Sequence, residues 1–250
     1  MKPLCSYADL KNKVVLVTGG ANGIGASIVR AFHSQQSRVF FCDLDAAAGR
    51  ALERELPGTT FQKISLLSES EISRWIDGIA RREGRIGVLV NNAARDPRMA
   101  LAKSTSAFWD ELFANNLRAY FLTAREAAPR MKAGGSIVNF ASITFHNGPV
   151  NMSAYVATKG GVLGLTRSLA RELGRKRIRV NAISPGWIMT ERQQRMYVTP
   201  AIKKLIRRSQ CVPDLLQPEE MAEVVLFLAS NASRAITGQE ILADRGWEFA

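Results

Sequence analysis

The sequence predicts an α/β fold, a doubly wound parallel sheet of about seven strands with helices on both faces. Two observations carry this. Short β-branched runs alternate with stretches of helical periodicity along the whole chain, the pattern of βαβ units with right-handed crossovers. The strand runs are also mostly apolar rather than alternating, as expected of strands covered on both faces. The candidate strands are residues 13–18, 38–43, 59–64, 86–90, 136–140, 178–182 and 240–243. Helical periodicity fills residues 23–35, 46–56, 69–84, 106–132, 153–174 and 218–230. Connections are short and no linker or repeat appears, so residues 1–250 read as a single domain. The exception is about 187–217, a long, polar, basic insert. A long insert late in such a fold is expected to be a lid over the site.

Composition removes whole classes of function. The chain is 46% apolar and 22% charged, a globular balance that excludes disorder, collagen and coiled coil. No apolar run approaches the roughly 18–20 residues of a membrane span. The N-terminal stretch Met1–Ser6 lacks the apolar core of a signal peptide, and a cytoplasmic protein is expected. Cys5, Cys42 and Cys211 are odd in number and far apart, which fits reduced thiols. His33 and His146 are the only histidines, so no metal site is expected. The net charge of +12 gathers partly at Arg171, Arg175, Lys176, Arg177 and Arg179, and at Lys203, Lys204, Arg207 and Arg208. Such a charge attracts anions. No zinc-finger or RNA-binding signature accompanies it, and it reads as a solvated face, with no nucleic-acid or membrane partner.

Thr18-Gly19-Gly20-Ala21-Asn22-Gly23-Ile24-Gly25 follows the first strand and opens the first helix. Glycines there let the backbone approach a ligand, and the helix N-terminus offers free N–H groups to a pyrophosphate. Residues 20–27 nearly match a nucleoside-triphosphate loop, but Ala26 stands where that loop needs lysine, which removes the kinase or ATPase reading. Asp43 closes the second strand. A carboxylate about 20 residues past such glycines can accept both adenosine ribose hydroxyls and repels a 2′-phosphate. Asn22 is not basic, and Leu44 follows Asp43. These positions favour NAD over NADP.

Tyr155 and Lys159 stand four residues apart on one helical face. A free phenol has a pKa of about 10. A nearby ammonium, together with the positive ring of an oxidised nicotinamide, favours the phenolate. Ser142 follows the fifth strand, at the carboxyl edge where open α/β sheets bind ligands.

These residues are part of a longer series. Thr18-Gly19-x-x-x-Gly23-x-Gly25, Asn91-Asn92-Ala93-Ala94, Asn116-Leu117, Ser142, Tyr155-x-x-x-Lys159 and Pro185-Gly186-x-x-x-Thr190 occur in order. The chain thereby resembles the short-chain dehydrogenases/reductases along nearly its whole length. The resemblance implies a Rossmann-type fold, a homotetramer and a set of roles. Tyr155 would be the acid/base, Ser142 would bond the reacting oxygen, and Lys159 would hold the nicotinamide ribose. Asn116 would anchor a water in a proton relay. Asn91 and Ala93 would line the cofactor path, with Gly19, Asn22, Gly23, Ile24, Gly25, Asp43 and Leu44 at its other end. Pro185, Gly186, Ile188 and Thr190 would border the nicotinamide carboxamide. Ser65 stands where an aspartate usually meets the adenine, Ala94 where a glycine is usual, and Arg245 at the first glycine of a usual Asp-Gly-Gly.

The stretches 185–193, 209–211 and 216–219 and the ending Asp244-Arg245-Gly246-Trp247 are similar to bacterial NAD(P)-dependent aldose 1-dehydrogenases. That similarity implies oxidation of a sugar at C1 to a lactone. A sugar pocket needs a polar rim and a flat apolar surface. Arg95, His146, Asn147, Trp187 and Gln193 are the candidates. The alternative is a reductase or dehydrogenase of a keto acid, a 3-oxoacyl carrier substrate, a polyol or a secondary alcohol. Asp43 argues against the NADPH that such reductases usually use.

Overall fold

The computed structural model describes residues 4–249. Met1, Lys2 and Pro3, part of the stretch read for a signal peptide, lie outside the described residues, as does Ala250. Seven strands form one parallel sheet: β1 (Val14–Thr18), β2 (Arg38–Asp43), β3 (Thr60–Lys63), β4 (Ile86–Asn91), β5 (Met131–Phe140), β6 (Arg179–Pro185) and β7 (Glu240–Ala243). Their order is β3-β2-β1-β4-β5-β6-β7. The chain winds outward from β1 to one edge and then returns to the far side at β4. That reversal opens a crevice above the carboxyl ends of β1 and β4.

The period-two alternation of a strand sends successive side chains to opposite faces. Val15 and Val17 meet Ile28 and Phe32 of α1 (Gly23–Ser34) and Val225 and Leu226 of α10 (Pro218–Ala229). On the other face Leu16 and Leu89 pack with Ile72 and Ile76 of α3 (Glu69–Glu83) and Leu122 of α5 (Ala119–Ala127). Leu173 of α7 (Ser153–Gly174) joins the same cluster. The short α2 (Ala46–Glu55) lies over β3, where a Cβ on Gly49 would stand 2.2 Å from the Phe61 ring.

The expected helix over 106–132 is broken in four. It consists of α4 (Ser106–Phe113), a π-helical turn (Ala114–Arg118), α5, and a 3₁₀ turn (Ala128–Arg130). Pro129 cannot donate to a helical hydrogen bond, and β5 starts directly afterwards at Met131, five residues ahead of its expected start. After the four-residue α6 (Thr144–Asn147), the late insert folds into α8 (Glu191–Met196) and α9 (Pro200–Ser209). Hydrophobic spacing had marked neither. Each begins with a threonine cap, Thr190 and Thr199. No described helix is long and apolar enough to cross a membrane.

A row of amides and hydroxyls crosses the apolar sheet. Thr123 Oγ1 donates to Asn91 Oδ1 (2.7 Å), Asn91 Nδ2 to Asn139 Oδ1 (2.9 Å), and Asn139 Nδ2 to Thr166 Oγ1 (3.0 Å). Asn91 and Asn139 face each other across β4 and β5 and are fully buried. Asn139→Ala leaves the Asn91 amide without its acceptor, so unfolding in urea should show a loss of about 1–3 kcal/mol. A loss near zero would mean that the row does not hold these strands.

Candidate active site

The cleft above the carboxyl edge has a volume of about 1100 Å³. At one end lies the glycine loop. Gly19 has φ +65° and Gly23 has φ +53°, both in the left-handed region. A Cβ on Gly25 would stand 1.9 Å from the Gly19 carbonyl oxygen, so no larger residue fits the turn. Asn92 Nδ2 donates to the carbonyls of Thr18 (3.1 Å) and Gly19 (2.9 Å) and fixes the loop from β4. Asn22 occupies the N-cap of α1, but its side chain does not cap. It donates to Asp45 Oδ2 instead (3.1 Å). The first-turn N–H groups are therefore left toward the cleft, and no acidic side chain stands in that turn. An uncapped 12-residue helix with this surround is an anion site that fits a pyrophosphate.

Asp43 reaches the same cleft from the end of β2. Its two oxygens accept from the backbone N–H of Ala21 (3.1 Å) and of Asp45 (3.1 Å). A carboxylate keeps further lone pairs for a diol. Asp45, which sequence reasoning missed, adds a second carboxylate on the wall. The Ala48 backbone N–H, then Asn22, hold its carboxyl below the usual range. Leu44 and Ser65 line the cleft, and Ser65 Oγ accepts from Leu67 N–H (3.3 Å). Gly19, Asn22, Gly23, Ile24, Gly25 and Ala93 also line it, as do Pro185, Gly186, Ile188 and Thr190.

Ser142, Tyr155 and Lys159 meet at the floor. Ser142 Oγ accepts from the Thr144 N–H (3.2 Å) and hydroxyl (2.9 Å). Its own proton is thus left to donate toward Tyr155, where it favours the ionised phenol. Lys159, 1% exposed, donates from Nζ to the Phe140 carbonyl (2.6 Å). Nζ also lies 5.5 Å from the Tyr155 ring centre and 5.6 Å from that of Tyr120. Burial lowers Lys159 to about 7. Burial, and then the negative charge of Asp96, push the Tyr155 phenol up, while the Ser142 bond and Arg192 oppose them. In the protein alone, desolvation is the largest influence on both groups.

Three of the expected residues lie outside the cleft lining. Asn91 does not line the cleft; it points into the sheet layer and belongs to the amide row. Asn116 lies in the π-helical turn, and its side chain grips a backbone rather than facing the cleft. It accepts from Arg95 N–H (2.9 Å) and donates to the Arg95 carbonyl (2.8 Å). His146 is turned away from the cleft, bonded through Nε2 to Glu240 Oε1 (2.8 Å).

Arg95, Asn147, Trp187 and Gln193, the candidates for a sugar, line the cleft together with Asp96, Arg98 and Arg192. Arg95 pairs with Glu111 at the surface. The Trp187 Nε1 is buried without a partner. The Arg98 guanidinium stacks 4.2 Å from the Tyr197 ring centre and 5.5 Å from that of Trp187. From α9, Ile202 and Leu205 line the cleft, whereas the cations of 203–208 do not. Cys5, Cys42 and Cys211 are free thiols. Among the described residues, no three His, Cys, Asp or Glu side chains gather to hold a metal.

Comparison with known proteins adds family evidence. A family model described as enoyl-(acyl carrier protein) reductase matches residues 19–248. A probable galactose dehydrogenase of Rhizobium meliloti is 41% identical over 251 residues, covering 98% of each chain. A D-xylose 1-dehydrogenase of Caulobacter vibrioides is 40% identical, covering 96% of this chain and 98% of the relative. An L-fucose dehydrogenase of Bos taurus is 40% identical, covering 95% and 90%.

The lowered Lys159 makes stability depend on pH. Above about pH 7 the folded protein has released this proton, while the unfolded chain holds it to about pH 10.4. Stability should therefore rise with pH between these values, by up to about 1.4 kcal/mol per unit. Urea unfolding of the unliganded protein at pH 7 and 9 should show wild type gaining relative to Lys159→Met. An equal difference at both pH values would mean that Lys159 stays charged.

Proposed function

The chain belongs to the short-chain dehydrogenase/reductase family, oxidoreductases acting on CH–OH groups, and we propose that it oxidises C1 of a pyranose aldose to the lactone with NAD. The observation that carries the chemistry is the convergence of Ser142, Tyr155 and Lys159 beside the uncapped helix end. Full-length similarity to galactose, xylose and fucose dehydrogenases supports the sugar.

The cradle fits a dinucleotide. Gly19, Gly23 and Gly25 admit its pyrophosphate and Asp43 its ribose diol, with Lys159 at the nicotinamide ribose. When bound, the oxidised cofactor supplies the hydride acceptor and a positive charge near Tyr155. The protein's part is to hold the sugar hydroxyl between Ser142 and Tyr155 and to take its proton onto the Tyr155 oxygen as the C=O bond forms. Lys159 favours that phenolate. Asp43 and Asp45 together repel a 2′-phosphate, which supports NAD over NADP.

Residues 187–217 act in this reading as a lid. Its Ile202 and Leu205 exclude water from the cleft. A homotetramer is supported by exposed aromatics on α4 and α5. Trp109 stacks on Phe113 at 4.6 Å, and Phe121 is 45% exposed. The free thiols support a reducing cytoplasm.

A screen of aldoses, polyols and keto acids with NAD and NADP tests this. Galactose, xylose or fucose should reduce NAD, yield a lactone that hydrolyses to the aldonic acid, and favour NAD by at least about tenfold in kcat/KM. Turnover of ketones, keto acids or carrier-bound acyl groups alone would replace the sugar reading with the reductase one. Tyr155→Phe should lower kcat by about 10²–10⁴-fold with NAD binding intact. A folded Phe variant that works like wild type would remove Tyr155 from the chemistry.

A further inference from the structure

Asp96 follows the loop that β4 delivers to the cleft, and it lines the substrate half. The loop is fixed beneath it, because the Asn116 amide grips both backbone groups of Arg95, its immediate neighbour. From above, the first turn of α8 closes on it. Arg192 Nη1 donates to Oδ1 (2.5 Å) and Gln193 Nε2 to Oδ2 (2.8 Å). Thr190 holds that turn by accepting from Gln193 N–H (3.2 Å). The carboxylate is thus placed from both sides, with its side chain 21% exposed.

A carboxylate has about four lone-pair sites. Two are taken by the lid residues and two are left. Asp96 lines the same cleft as Tyr155 and Lys159, and its charge acts on both. Trp187 and the stacked Arg98 lie along the same half of the cleft.

We infer that Asp96 is a specificity-determining residue: it accepts hydrogen bonds from ring hydroxyls away from the oxidised carbon, and Arg192 and Gln193 hold it in place to do so. The inference rests on the sugar reading above and names the group that would enforce it. An aliphatic ketone or acyl chain offers no donor, so it covers the two remaining lone-pair sites without replacing the water they lose. A site built around a substrate hydroxyl rejects the analogue that lacks it much more strongly than an apolar pocket rejects a missing methylene. Asp96 would therefore select for polyhydroxylated substrates, and Arg192 would keep its charge tolerable beside Tyr155.

The alternative is that Asp96 only latches the lid, and a double-mutant-type cycle separates the two. Wild type, Asp96→Asn and Arg192→Ala are compared on the best aldose and on its monodeoxy analogues. Asp96→Ser serves if the Asn variant does not fold. Equilibrium binding of NAD, unchanged in Asp96→Asn, reports an intact cofactor half. In wild type, at least one deoxy analogue should lose about tenfold or more in kcat/KM. Asp96→Asn should raise KM for the parent sugar about tenfold and abolish the penalty for that analogue alone. Arg192→Ala should weaken all substrates by a similar factor. A uniform effect of Asp96→Asn across the series, or no effect, would leave only a latch and overturn the proposal while the sugar reading stands. If no aldose is oxidised by wild type, the sugar reading falls, and this assignment falls with it.

Discussion

Lys159 puts an ammonium where almost no water reaches it, and among the described residues its one hydrogen-bond acceptor is the Phe140 carbonyl. A buried cation is costly unless paired, and neither Phe140 nor the faces of Tyr120 and Tyr155 carry a full charge. Burial accordingly draws Lys159 down to about 7. The position suits the role proposed for this lysine, at the ribose of a bound nicotinamide cofactor. Hydroxyls of a ribose would give Nζ the acceptors it lacks, and a positive ring nearby would let Tyr155 ionise.

The geometry of that pair is set far from the cleft. Ser142 lies just beyond β5, Asn92 and Ala93 just beyond β4, and both strands are fixed in register by the row from Thr123 to Thr166. An apolar seam would tolerate a slip of side chains. Paired amides do not, because a slip leaves several buried polar groups unsatisfied at once. The placement of the cleft residues and the strand register are in this sense one constraint.

The sheet was legible because each strand is a compact β-branched run, and the site was legible where spacing alone decides contact. Tyr155 and Lys159 share a helix face, and the glycines must lie at a strand–helix turn. What escaped depended on direction or on distant partners. Asn91 and Ala93 are two residues apart near the end of β4, yet one joins the amide row and the other lines the cleft. His146 found Glu240, a residue on the far edge strand. Asp45 and Asp96 look like ordinary turn residues in sequence. Their meaning comes from Asn22 and from the lid, which no local pattern reveals. The break in 106–132 was readable only at Pro129; the π-helical turn that places Asn116 has no sequence marker.

Arg245 shows how a departure from the family pattern is absorbed. Its φ is +59°, left-handed backbone that costs a non-glycine residue about 1–2 kcal/mol. The side chain offsets this by reaching Glu220 (2.6 Å) on α10 and Asp214 (3.6 Å) on the segment leading into it. Glu220 already caps α10 by accepting from Gln217 N–H (2.8 Å), so one carboxylate secures both the helix start and the C-terminal turn. The Arg245 carbonyl in turn accepts from Cys211 (3.0 Å) and Val212 (3.2 Å), where the chain leaves α9. A glycine would adopt the same backbone without strain but would carry no charge to α10. The arginine therefore exchanges a relaxed turn for a tethered one, and the tether anchors the far end of the segment whose near end holds Asp96.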